Sequence, residues 1–74
     1  MRVIAKEIVD YEALASEICN MAALGDTECS LMLIAAKADI ERTYGQQCAN
    51  YSVLVSSFED GSQGYMIVPH DYKL

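Results

Sequence analysis

The sequence predicts an α+β fold: an antiparallel helical hairpin followed by a β-hairpin (ααββ), with a third, N-terminal strand (βααββ) as the variant. Three observations carry this. Apolar residues recur at helical spacing from Asp10 to about Tyr44. Glycines interrupt that pattern at Gly25 and Gly45, where helices commonly stop. From Tyr51 the period changes to alternation among β-branched and aromatic residues.

In the first helix, read over Asp10 to Leu24, the residues Tyr11, Leu14, Ala15, Ile18, Met21 and Ala22 form one apolar stripe. Asp10, Glu17 and Asn20 lie on another face, and four alanines add helix propensity. After Gly25, Asp26 or Thr27 caps a second helix, with Glu28 well placed against the macrodipole of its first turn. Cys29, Met32, Leu33, Ala36, Ile40 and Thr43 make its stripe. Leu31, Ile34, Ala35 and Ala38 extend the apolar surface almost around it. A helix apolar on most sides is buried on most sides, so this one is expected between the first helix and either a sheet or a second copy of the chain. Leu31, Ile34 and Ala38 are the expected oligomer contacts.

Tyr51 to Phe58 reads as a strand, with Tyr51, Val53 and Val55 on one face and Leu54 and Phe58 on the other. The cluster Glu59 to Gly64 turns the chain, Tyr65 to Val68 returns it, and Pro69 ends the ladder. Tyr51 and Tyr65 are expected as cross-strand neighbours. Residues 2–9 fit two readings. Ile4, Ile8, Tyr11, Ala15 and Ile18 continue the helical period into one long first helix. The β-branched Val3, Ile4, Ile8 and Val9, followed by the N-cap residue Asp10, suit a strand instead.

At 74 residues, one domain spanning 1–74 is expected. A chain of this size buries only about 60% of its unfolded surface, so its stability is marginal and a large multilayer enzyme core is excluded. A hydrophobic content of 53% argues against disorder and for some apolar surface left to a partner. The N-terminus is charged at Lys6 and Glu7, where a secretory leader is apolar. The longest aliphatic run, Leu31 to Ala36, is too short to cross a bilayer. With three cysteines and no CxxC motif, the chain reads as cytoplasmic.

The charge distribution says most about function. Between Lys6 and Lys37 there are six acidic residues, Glu7, Asp10, Glu12, Glu17, Asp26 and Glu28, and no basic one. The rest of the chain carries five acids and five bases. The whole net charge of −6 therefore belongs to the first helix and its flanks. Such a field repels phosphate and steers a basic protein surface towards it. The competing explanation is a solvated face that keeps the protein soluble.

Catalytic signals are weak. Cys48 and the lone His70 are not tied together by any motif, and Glu12 and Glu17 are spaced off one helical line. Cys19 and Cys29 lack a zinc spacing, so these two read as small buried hydrophobes and Met21, Met32 and Met66 as core fillers. Gly61 to Gly64 lacks the lysine and following helix of a phosphate loop. No Lys or Arg lies between Arg42 and Lys73 to hold a nucleic-acid backbone beside the hairpin tyrosines. No cofactor, metal site, membrane contact or direct nucleic-acid contact is expected.

In length, acidity and lack of a catalytic motif the chain is similar to small phage or mobile-element inhibitors of host defence or nucleic-acid enzymes. That general likeness implies a non-enzymatic protein that binds and inhibits or modulates a basic partner, such as a nucleic-acid-binding protein. The second expectation is a homo-oligomeric structural or regulatory subunit, with a homodimer as its simplest form.

Overall fold

The computed structural model describes residues 1–74. The elements are β1 (Val3–Asp10), α1 (Tyr11–Ala23), α2 (Thr27–Tyr44), a 3-10 segment (Gly45–Asn50), β2 (Tyr51–Phe58) and β3 (Gln63–Pro69). The sheet is antiparallel throughout, in the order β1-β2-β3. The α+β class and the antiparallel hairpins are as the sequence predicts.

Residues 2–9 are a strand, not an extension of the first helix. Pairing explains the choice. As a strand, Val9 lies opposite Val53 and is buried in the core. The hairpin also gains the third strand that an isolated pair needs for stability in water. A longer helix would leave a two-stranded hairpin and strand the β-branched residues.

Asp10 ends the strand and is the N-cap residue of α1, but its side chain makes no cap bond. Its carboxylate instead accepts the Ser52 hydroxyl at 2.9 Å, tying β1 to β2 where Ser52 is fully buried. The cap of α2 has the expected form: the Cys29 backbone N–H donates to Asp26 Oδ1 at 3.1 Å. Gly25, with φ of 82°, lets the chain reverse between the helices. The Ser30 hydroxyl then donates to the Ile18 carbonyl at 3.2 Å, joining them again one turn later.

One core lies between the helical layer and one face of the sheet: Val9, Leu14, Cys29, Leu33, Ala36, Ile40, Cys48, Val53 and Val55. The alternation read along β2 holds, since Val53 and Val55 enter this core and Leu54 does not. Leu54 and Val68 are buried on the opposite face, where Tyr72 of the C-terminal tail shares a depression with Leu54, Phe58 and Met66. Met66 itself is 53% exposed, so it is not the core filler expected of it. Strand parity puts it on the face away from the helices.

Tyr51 and Tyr65 are not cross-strand neighbours. Tyr51 pairs with Pro69 and Tyr65 with Val55. Tyr51 stacks instead on Tyr44, with ring centroids 3.6 Å apart. The unforeseen 3-10 segment brings these rings together by carrying the chain from the end of α2 to the start of β2.

Candidate functional site

The six carboxylates of the basic-free stretch come from β1, α1 and the start of α2, and the fold divides them. Glu7, Glu17 and Asp26 act together on one atom, the Cys29 thiol. Burial raises the thiol's pKa most, and the negative charges of Asp26, Glu17 and Glu7 raise it further. Three separate elements therefore converge on one end of the molecule. Glu28, in the first turn of α2, belongs to the same end. Asp10 and Glu12 sit at the far end of β1, on a groove shared with Tyr11, Ala49, Asn50 and His70.

None of the six is in an ion pair. Both salt bridges lie within the second half of α2, Lys37 to Glu41 at 2.7 Å and Arg42 to Asp39. Lys6, next in sequence to Glu7, faces the other side of the sheet by strand parity. All but the half-buried Glu17 are exposed. The acidic end thus presents carboxylates that no salt bridge neutralises.

Leu31, Ile34 and Ala38 remain exposed on the helical layer, Leu31 at 60% and Ile34 at 47%. Ile34 and Ala38, with Ala15 and Ile18 of α1 and with Lys37 and Glu41, line an open groove. The sheet covers the other side of α2 through Leu33, Ala36 and Ile40. Of the two neighbours expected for this helix, the chain itself supplies the sheet.

Two tyrosines missed in the sequence pin α2 in place. On one side the Tyr11 hydroxyl donates to Glu41 Oε2 at 2.6 Å, beside Lys37. On the other the Tyr65 hydroxyl donates to Asp39, beside Arg42. Asp39 and Glu41 are two residues apart, which puts them on different sides of a helix. No sequence signal links them to residues 30 and 26 positions away. The Lys37 ammonium and the Tyr11 hydroxyl hold Glu41 below the usual carboxylate range, the lysine contributing most. Asp39 is lowered chiefly by Tyr65, then by Arg42. In return Tyr11 is pushed up to about 12, first by its bond to Glu41.

These shifts have a definite sign. A carboxylate whose folded pKa is depressed stabilises the fold above its unfolded pKa, about 4, and loses that contribution as pH falls through the folded value. Tyr11→Phe removes one cause of the Glu41 shift. The stability difference between wild type and Tyr11→Phe should therefore be larger near neutral pH than below about pH 3. Urea unfolding at both pH values checks it, and a pH-independent difference would mean that the hydroxyl does not stabilise the charged carboxylate.

All three cysteines are free thiols. Cys29 is buried as expected, and Cys48 is buried too. Cys19 is exposed, because it lies off the apolar stripe of α1. Cys48 Sγ donates to the Gly45 carbonyl at 2.7 Å, whereas His70 is an exposed residue of the Asp10–Glu12 groove. No three His, Cys, Asp or Glu side chains are arranged to hold a metal ion. No helix is long and apolar enough to cross a membrane. In comparison with known proteins, no family model, no curated protein and no solved structure matches the chain.

Proposed function

We propose that the protein is a non-enzymatic acidic interaction protein of the cytoplasm. In this reading it binds a basic protein surface and thereby inhibits or modulates a nucleic-acid-handling or defence complex, as small phage or mobile-element inhibitors do. The observation that supports this is the gathering of Glu7, Glu17, Asp26 and Glu28 at one end with no ion-paired countercharge. An uncompensated cluster raises the encounter rate with a cationic surface by roughly 10–1,000-fold at low salt and loses that advantage as salt screens it.

The test compares wild type with the combined variant Glu7→Gln, Glu17→Gln, Asp26→Asn and Glu28→Gln, each immobilised and exposed to lysate across a salt gradient. A basic protein that wild type retains and releases as salt rises, and that the variant fails to retain, is the expected result. Undiminished retention by the variant sinks the proposal.

A second reading is a homo-oligomeric structural or regulatory subunit. It is favoured by apolar surface left uncovered in so small a chain, at Leu31 and Ile34 on the helices and Met66 on the sheet. The two readings are compatible, since the acidic end is distinct from those residues.

A further inference from the structure

We infer that β3 is a dimerisation edge, pairing antiparallel with β3 of a second copy to make one six-stranded sheet. This rests on the homo-oligomeric reading and gives it an interface other than the helical face.

The two edges of the sheet differ. Edge strands expose unpaired backbone groups, and proteins that stay monomeric blunt them with bulges, charges or prolines. On β1 the register slips between Val3 and Ala5, and Lys6, Glu7 and Asp10 follow along the strand. β3 has no charged residue from Gln63 to Pro69 and pairs with β2 without a register slip.

Hydrogen bonding shows which groups β3 offers. The His70 N–H donates to the Asn50 carbonyl at 2.8 Å, and the Phe58 N–H to the Ser62 carbonyl at 2.9 Å. These bonds fix the phase of the antiparallel ladder. Even-numbered residues, Gly64, Met66 and Val68, turn their N–H and C=O groups towards β2. Gln63, Tyr65 and Ile67 turn theirs outward. Pro69 has no N–H and closes the edge.

Self-pairing about a twofold axis at Met66 satisfies this edge. Tyr65 then exchanges both backbone bonds with Ile67 of the second copy, and the reverse. Met66 faces Met66 across a non-hydrogen-bonded pair, where side chains approach most closely. The row Ile8, Leu54, Met66 on the open face continues into the same row of the partner.

The self-complementary phase of this uncharged edge points to a second copy as the occupant, and the placement of charge permits it. Two chains of net charge −6 must meet where charge is lowest. The sheet order puts β1, with Glu7 and Asp10, at the opposite edge from β3. The helix nearest β3 is α2, whose later charges are paired internally as Lys37–Glu41 and Arg42–Asp39.

Sedimentation of the full chain at tens of micromolar tests this. Wild type should be a dimer. Met66→Lys sets two like charges against each other at the axis and should weaken the dimer at least about tenfold, with unchanged far-ultraviolet circular dichroism. Met66→Cys in a Cys19→Ser background should form an intermolecular disulfide on mild oxidation, because this pairing brings the two Cα atoms within disulfide range. A wild-type monomer overturns both the edge pairing and the oligomeric reading. A dimer that survives Met66→Lys, forms no such disulfide and dissociates with Ile34→Glu overturns the edge pairing and leaves the oligomeric reading standing.

Discussion

Leu14→Ala should cost about 2–5 kcal/mol, the range for emptying a leucine site that cannot collapse. Leu14 is the one buried residue of α1 and is fully enclosed. It shares one buried cluster with Val9 from β1, Leu33 and Ile40 from α2 and Val53 from β2. They come from three separate elements, so no single shift fills the void. A native chain of this length has a total stability of about 4–11 kcal/mol, so the loss approaches the whole in the weaker half of that range. Leu24→Ala is the control. It removes the same atoms from a residue 76% exposed and should change stability by less than about 0.5 kcal/mol. Urea unfolding followed by circular dichroism measures both. Equal shifts in the two midpoints would mean that the core is not organised around Leu14.

The second large effect is expected at Gly45, which ends α2 and opens the 3-10 segment. Its φ of 55° and ψ of −117° lie outside the left-handed helical well that asparagine tolerates. A Cβ added there would meet nothing within 4 Å, so the cost of Gly45→Ala is backbone strain alone, about 1–3 kcal/mol. Gly45→Asn should be about as costly, because its side chain gives no access to this ψ. The conformation is the mirror image of an extended one that ordinary residues occupy freely. A synthetic chain with D-alanine at position 45 should therefore match or exceed wild type, by up to about 1 kcal/mol, through a less flexible unfolded state. Thermal melts of the three variants decide it. Rescue by Asn, or failure of the D-residue, would count against this backbone geometry. Local rigidity matters here because the segment sets Cys48 into the core and delivers Tyr51 to Tyr44.

Several elements were legible because their signals are local. The periodicity of Leu14, Ile18 and Met21 marks α1. Asp26 and Gly45 mark the two ends of α2, and the alternation of Val53, Leu54 and Val55 sorts β2 into its two faces. These depend on side-chain size and backbone preference within a few residues, which the sequence records directly. The acidic stretch was equally plain as a composition. Its division into a cluster around Cys29 and a pair beside His70 was not, since that depends on β1 running back along α1.

The sequence by itself determined the class of fold, the breaks between helices and strands, and the confinement of the net charge to the segment between Lys6 and Lys37. Tertiary structure decided the rest. Residues 2–9 carry both a helical and a strand pattern, and only pairing with β2, which buries Val9 against Val53, selects the strand. The contacts of Tyr11 with Glu41 and Tyr65 with Asp39 join residues far apart in the chain. The contrast between a bulged, charged β1 edge and a smooth, uncharged β3 edge exists only once the strand order is known. Local preferences act over a few residues and are written in the order of the chain, whereas pairing energies belong to surfaces that folding alone brings together.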